Sequence, residues 1–499
     1  MAKNENGKFS VIIAAGVLLS AVVEVNAQMA APIFEPVQPD VFSHNMALSN
    51  AWGDFDNDGD LDLAISFKTG DVRLYRNDNG QFSNIGPEMG LPQGGKETRS
   101  IAWGDYNEDG FLDLYVGSNQ NGNELYRSNG AKSFTEVGVE LGVDVPNVST
   151  RQISWIDYDN DGAVDLFVAD RVGKNHLFKN ENGRFTDISE KTGLDDGRPT
   201  VGACWFDYNG DGLLDLFLAN QSGTTDALYK NMGGTFVDVA PMLGIEGGKR
   251  TTDEGGVDCT VGDYDNDGDF DLFVANYGRN YLYENDGSGG FREVSESLGI
   301  SGDDHLVGAS WGDYDNDGYL DLYATGYTGP ANNRRPVDRL FYNDEGTFTE
   351  IDISSSPLNG ADHGIQWADF DKDGDLDISL TEGYNIKGRH PLLKNMLPSD
   401  NNHRSLQVEV LDSAGRPSRA GAEVRLYDMA GKLLATRLVP TGDGYNSHSI
   451  MPVHFGLGGV DKVTVEATFL TADGRKSQTL KDISADDYRG RALNVMQEK

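Results

Sequence analysis

At 499 residues with 80 acidic and 41 basic side chains, the chain carries a formal charge of −39. Such acidity excludes nucleic acid and anionic membrane surfaces as partners. One repeat fills most of the length, so one large repeat domain with a smaller companion is expected in place of several generic domains.

The N-terminus offers Lys3 and Lys8, an apolar run from Phe9 to Val23, and Val25-Asn26-Ala27 before Gln28. This is the pattern of a secretory signal peptide over residues 1–27, cleaved after Ala27. The run is short for a membrane span, and small residues stand at the −3 and −1 positions. The residue directly after the cleavage site is Gln28, not cysteine, so a lipid anchor is not expected, and no later segment has the length and apolarity of a transmembrane span. The mature chain is expected to be secreted, extracellular or periplasmic, where calcium is roughly millimolar.

The first periodic element is Asp54-Phe55-Asp56-Asn57-Asp58-Gly59-Asp60-Leu61-Asp62. Calcium takes about six to eight hard oxygens, and Asp54, Asp56, Asp58, the main-chain carbonyl of Asp60 and the carboxylate of Asp62 would supply them. An EF-hand needs its last acid at position 12, here Ile65. The acid stands at position 9 instead, followed by a strand-like run, so the loop joins two strands.

The loop recurs six times. The candidate ligands are Asp105, Asn107, Asp109, Phe111 and Asp113 in the second copy, and Asp157, Asp159, Asp161, Ala163 and Asp165 in the third. The fourth offers Asp207, Asn209, Asp211, Leu213 and Asp215, and the fifth Asp263, Asp265, Asp267, Asp269 and Asp271. Asp313, Asp315, Asp317, Tyr319 and Asp321 follow in the sixth, and Asp369, Asp371, Asp373, Asp375 and Asp377 in the seventh. One such loop would read as a solvated hairpin turn; seven in register read as up to seven calcium sites.

Successive loops start 51, 52, 50, 56, 50 and 56 residues apart, the period of four-stranded propeller blades. In each unit one strand runs into the loop, a second leaves it, a third closes near Asn and Gly, and a fourth centres on Phe. The seventh fourth strand is missing after Asn395. Residues 33–37, Ile33-Phe34-Glu35-Pro36-Val37, resemble it and are expected to complete the last blade, leaving no open sheet edge. Residues 28–398 therefore read as a seven-bladed β-propeller. All six tryptophans lie two residues before a loop, where they are expected to fill the space between blades, not to form a binding ladder. Export makes a disulfide between Cys204 and Cys259 possible, but they stand one register apart on equivalent strands, which should turn them to opposite strand faces and makes two buried free thiols the preferred reading. Residues 401–499, with alternating strands such as Leu406–Val410 and Val463–Ala467 and no metal loop, read as a small antiparallel β-sandwich, making the chain all-β.

The seven loops resemble FG-GAP/VCBS repeats, the units of the integrin-α-like propeller. The C-terminal region resembles the ASPIC/UnbV domain through Gly421-Ala422-Glu423-Val424, Gly444-Tyr445-Asn446-Ser447 and His454-Phe455-Gly456-Leu457-Gly458. Together they imply a secreted protein similar to the cartilage-acidic-protein family. One departure is visible: Phe469 to Gly474 replaces the usual Trp-Pro-x-Gly turn.

The blade geometry sends the acidic loops to one face and the strand entrances to the other. The second face gathers His44, Arg99, Arg151, Arg334, Arg335, His363 and Arg389, a set suited to an acidic glycan or a carboxylate-bearing protein segment because arginine reads carboxylates as a fork. The sequence carries no metalloprotease helix, nucleophile elbow or phosphate-cradling loop, so a non-enzymatic adhesion or recognition module with an extracellular glycan or protein partner is expected. The alternative is a calcium-dependent lyase acting on uronate-containing glycans. Nothing in the sequence sets the oligomeric state.

Overall fold

The computed structural model describes residues 31–327, 338–360, 363–384, 387–398, 404–417, 419–442 and 444–498. Residues 1–27, expected to form the signal peptide, and the candidate ligand-binding pair Arg334 and Arg335 lie outside the described residues.

In the first blade the inner strand Ala47–Gly53 pairs across the acidic loop with Asp62–Phe67, which pairs with Val72–Asp78 and then Gln81–Asn84. Five further blades repeat this antiparallel order behind inner strands Thr98–Gly104, Val148–Ile156, Thr200–Phe206, Gly255–Gly262 and Asp303–Gly312. The seventh holds Ile365–Ala368, Asp377–Leu380 and Leu392–Asn395, and its outer strand is Phe34–Pro36, with Phe34 opposite Asn395 and Pro36 opposite Leu393. The ring is a seven-bladed propeller, and its last blade combines strands from both ends of the propeller segment.

Tryptophan spaces the blades. Trp52, Trp103, Trp155 and Trp205 are fully buried, each following a small or flat surface of the preceding blade. A Cβ added to Gly104 would lie 2.6 Å from Trp155, and one added to Gly312 2.7 Å from Trp367. The aromatic at the second loop position stacks on the next tryptophan, as Phe55 does on Trp103 (6.4 Å) and Tyr264 on Trp311 (6.5 Å). A second tie comes from the asparagine that closes the third strand in six blades, Ser128 standing there in the second. The Nδ2 groups of Asn180, Asn231, Asn285, Asn343 and Asn395 donate to the carbonyls of Tyr106, Tyr158, Tyr208, Tyr264 and Tyr314 in the preceding loop, and Asn77 carries the pattern across the ring junction to Phe370.

Cys204 and Cys259 form a disulfide with Cα atoms 6.1 Å apart, which corrects the expectation of free thiols. The face argument was sound for one strand but has the opposite consequence in a ring. A blade meets its successor through one face and its predecessor through the other, so cysteines on opposite faces of adjacent inner strands point at each other. Replacing both by alanine should cost about 4 kcal/mol, the loop-closure value for a crosslink of this span, read as a lower urea midpoint with an unchanged slope.

The C-terminal domain stacks a sheet of Val453–Gly456, Ser405–Leu411 and Leu493–Met496 on a sheet of Leu433–Leu438, Glu423–Tyr427, Lys462–Thr471 and Gly474–Ser484. Its own core includes Val408, Val424, Phe455, Val465 and Phe469. The sandwich sits on the acidic-loop face of the propeller, and its Pro440–Pro452 segment enters the central channel. Ser447 and His448 pair in parallel with Ile101 and Ala102. The main-chain N–H of Ile365 donates to Gly444 O (3.0 Å) and that of Ile450 to Trp52 O (2.8 Å). Ser49 Oγ donates to Tyr445 O (3.0 Å), Gln152 Nε2 to Ser447 O (2.7 Å), and Thr441 Oγ1 to Trp205 O (2.9 Å). The three C-terminal glycine stretches singled out in the sequence are the surfaces pressed on the propeller: Gly421 faces Leu214, Gly444 faces Ile365, and Gly456 faces Asp313 and Asn316.

Two of the buried neutral histidines are His390, inside the propeller, and His448, where the sandwich meets it. His390 Nδ1 donates to the carbonyl of His44 (2.7 Å), leaving Nε2 to accept from the Tyr75 hydroxyl (2.7 Å). His448 Nδ1 accepts the Trp155 N–H (3.1 Å). Burial pushes their pKa values down to about 3 and about 4. Because the folded values lie below the ordinary 6.5, their stabilising contribution is complete above that pH and is lost as pH falls from 6.5 towards 4. At pH 5 the pair should cost up to about 4 kcal/mol relative to pH 7.5, checked by urea unfolding of the wild type beside His390→Gln.

Candidate metal loops and the channel mouth

Each loop is folded by its own carboxylates. Asp54 accepts the N–H of Asp58 through Oδ1 (3.1 Å) and that of Gly59 through Oδ2 (2.9 Å), and Asp105, Asp157, Asp207, Asp313 and Asp369 do the same at their loops. The fifth-position aspartate accepts the N–H of position 7, holding the main chain of Asp60, Phe111, Ala163, Leu213, Asp269, Tyr319 and Asp375. The ninth-position aspartate accepts the N–H of the residue closing the third strand, as Asp62 does from Asn77 (2.8 Å).

The turn also needs a left-handed residue at position 4, which the sequence reading passed over: Asn57, Asn160, Asn266, Asn316 and Lys372 have φ between 58° and 61°, a region asparagine tolerates better than most residues. Those asparagines then donate to the sixth-position carbonyl of the next loop, Asn57 to Gly110 and Asn160 to Gly212 among them, linking the first loop to the second, the third to the fourth, and the fifth through the sixth to the seventh.

In five loops three carboxylate oxygens lie within 4.8 Å of one another: Asp54, Asp56 and Asp58; Asp157, Asp159 and Asp165; Asp263, Asp265 and Asp271; Asp313, Asp315 and Asp321; Asp369, Asp371 and Asp377. Burial, with neighbouring carboxylates adding to it, pushes Asp62 up to about 9 and Asp113, Asp165 and Asp215 up to about 8. Buried oxygens of Asp56, Asp113, Asp159, Asp165, Asp263 and Asp371 have no hydrogen-bond donor. Converging hard oxygens that lack donors fit a divalent cation.

Four loops already hold an ammonium group, the first through Lys372 of the seventh, whose Nζ lies 2.5 Å from Asp60, and three through a lysine of their own blade. Lys179 pairs with Asp159 and, at 2.9 Å, with Asp161. Lys394 pairs with Asp371 and, at 2.8 Å, with Asp373, and Lys230 lies 3.2 Å from Asp211. All three precede the asparagine that closes the third strand. Two arginines and an amide from the sandwich add to this. Arg475 Nη1 donates to Asp207 (2.7 Å), Gln407 Nε2 donates to Asp369 (2.8 Å), and Arg419 lies 3.6 Å from Asp157.

The chain belongs to the FG-GAP-like repeat family. Matches to this repeat cover residues 54–116, 105–168, 157–218, 207–274, 263–324 and 328–379, and the ASPIC and UnbV family matches 413–489. Cartilage acidic protein 1 of Xenopus tropicalis is 25% identical over 491 residues, spanning 89% of this chain and 74% of that one. Among solved structures, a lectin of Agrocybe aegerita that recognises non-reducing terminal N-acetylglucosamine is 17% identical, with TM-score 0.40, over 72% of this chain and 92% of its own. The BP39L lectin of Burkholderia pseudomallei is 12% identical, with TM-score 0.46, over 71% and 96%.

On the opposite face of the FG-GAP ring, three of the candidate ligand-binding residues meet. Arg99 pairs with Glu97 and donates from Nη2 to the Tyr384 hydroxyl (2.9 Å). His363 stacks on Tyr384 (4.9 Å) and meets Tyr445 edge-on (4.8 Å). Arg151 is buried beside them and donates from Nη1 to Thr150 O (2.9 Å) and Ser149 Oγ (3.1 Å). His44 lies elsewhere, 3.4 Å from Asp71 and packed on Phe67. Arg389 is exposed beside a separate hollow with Pro36, Phe42 and Glu382. Tyr445 was the residue that sequence reading missed: its only signal was its place between Gly444 and Asn446.

Proposed function

We propose that this protein is an exported, calcium-stabilised recognition module that binds an extracellular glycan or protein through the channel mouth opposite its acidic loops and performs no chemistry there. The observation that carries this is the convergence of Arg99, Arg151 and His363 on Tyr384, a cationic and aromatic cup at the axis of a rigid ring. The two groups best placed to act as a base are structurally committed, with His363 between two tyrosine rings and Arg151 tied to main-chain and hydroxyl oxygens.

Calcium would be held by the carboxylates at positions 1, 3, 5 and 9 and the carbonyl at position 7 of up to seven loops, with Asn107 and Asn209 standing for a carboxylate in two. It supplies charge neutralisation. Export through a signal peptide cleaved after Ala27 agrees with the Cys204–Cys259 disulfide, a bond characteristic of oxidising compartments. Among the described residues no helix has the length and apolarity to cross a membrane.

The test is a glycan-array and uronate-depolymerisation screen of the mature protein, with calcium and with chelator. Retention without cleavage is the expected result. New unsaturated ends would overturn the reading in favour of a lyase.

A further inference from the structure

The inner strands place equivalent residues four positions before the tryptophan register: Leu48, Arg99, Arg151, Val201, Val257, Val307 and His363. The ring they form has two halves. Val201, Val257 and Val307 pack on Tyr445 from one side; Arg99, Arg151 and His363 stand on the other. Tyr445, carried in from the sandwich, closes the channel at this level. Its backbone is held in the left-handed region, with φ of 69°, 78° and 57° at Gly444, Tyr445 and Asn446. A non-glycine residue there is strained and persists only when its surroundings over-determine it. Here the Tyr445 N–H donates to Asp258 Oδ2 (3.0 Å), and its carbonyl accepts from Ser49.

Above this floor the rim is aromatic and basic. Tyr384 is 38% exposed and carries Lys68 Nζ at 3.8 Å from its ring centre. Tyr327 lies 5.1 Å from Tyr384 and 6.4 Å from Tyr277, which stacks on His305 at 5.0 Å.

Arg151 is the exceptional member. Two buried or half-buried arginines elsewhere on this face are neutralised: Arg250 grips Asp226 with two hydrogen bonds (2.8 and 2.6 Å), and Arg198 reaches Asp196 and Asp238. Arg151 is 3% exposed. Its acceptors are the Ser149 and Thr150 carbonyls and one hydroxyl, and no carboxylate pairs with it among the described residues. Arg99 and Arg171 are its charged neighbours, and burial pushes its pKa down to about 10. A buried guanidinium without a counter-ion is destabilising until an anion arrives.

We infer that the channel mouth is a binding site for the carboxylate-bearing terminal sugar of an acidic glycan, with Arg151 reading the carboxylate, Tyr384 and Tyr327 covering sugar faces, and Tyr445 setting the depth. This rests on the recognition reading above. Because Tyr445 blocks the channel, a chain cannot thread through it, and only an end can reach Arg151. The tyrosine arc favours a sugar over a peptide terminus, since flat rings pack on the apolar faces of a pyranose while the guanidinium fork aligns the acid.

Calorimetric titration of the mature protein with tetragalacturonate, tetramannuronate and sialyllactose, each beside its carboxyl-reduced form, tests this. At least one acidic member should bind, and its reduced form should bind about tenfold or more weaker. Arg151→Met and Tyr384→Ala should each lose about tenfold for the acidic member, while Arg292→Ala, on an outer strand, should not. Equal binding of acidic and reduced forms, or unchanged affinity in both Arg151→Met and the exposed-site variant Tyr384→Ala, would overturn the site while glycan retention on the array left the recognition reading intact. Arg151-dependent capture of an acidic peptide through its free C-terminus, with no sugar bound, would overturn the glycan assignment. Silence of the wild type towards every glycan on the array would remove the glycan reading and this site together.

Discussion

Replacing Gly444 by valine is expected to release the sandwich from the propeller. A Cβ at this position would fall on the carbonyl oxygen of Ile365, and the backbone sits at φ 69°, which a β-branched residue resists. The Ile365 N–H to Gly444 O bond is lost at once, and the neighbouring ties from Ser49, Asp258 and Gln152 depend on the same tip geometry. Steric strain and unpaired buried polar groups together should exceed about 3 kcal/mol. Each part has a hydrophobic core of its own, so the outcome is uncoupling instead of collapse. Calorimetry should show one transition in the wild type and two in Gly444→Val, with a larger radius of gyration by X-ray scattering. A single, unshifted transition would refute the plug.

The repeat was legible because it is periodic. Seven loops in register gave the blades, and the tryptophan register gave the filler between them. The same periodicity flagged Arg99, Arg151 and His363, which do share one ring level. What escaped was the part of the structure that joins non-equivalent places. Pro440-Thr441-Gly442 through Pro452 reads locally as a polar turn; its role lies in bonds from its main chain to strands roughly 80 to 400 residues away, as from Gly444 to Ile365 and Tyr445 to Ser49. The cysteine error has the same root, since strand-face alternation is local while the pairing of opposite faces belongs to the ring. Lys179, Lys230 and Lys394 escaped because the loops were read alone. The partner of a loop in a four-stranded blade also comes from the third strand, about twenty residues on.

Calcium removal should weaken the propeller as a whole, unevenly around the ring. Extracellular modules bind calcium with dissociation constants of about 0.1–1 mM, so at about 1 mM each filled loop contributes about 0.4–1.4 kcal/mol and seven contribute about 3–10 kcal/mol. A chain of this length unfolds with an entropy near 1 kcal/mol per degree, so chelation should lower the melting temperature by about 3–10 °C. Loops 3, 4 and 7 keep part of their neutralisation through Lys179, Lys230 and Lys394. The first loop is paired through Lys372 to Asp60 and the sixth lies beside Arg437, whereas the loop beginning at Asp263 has no lysine pairing among the described residues, so its carboxylates should repel most strongly once the ion leaves. Hydrogen exchange with chelator should therefore rise first in the hairpin around Asp267 and least around Asp161 and Asp373. Exchange that rises equally in all seven loops would show that the lysines do not substitute for the ion, and a melting temperature indifferent to chelator would remove calcium from the account of this fold's stability.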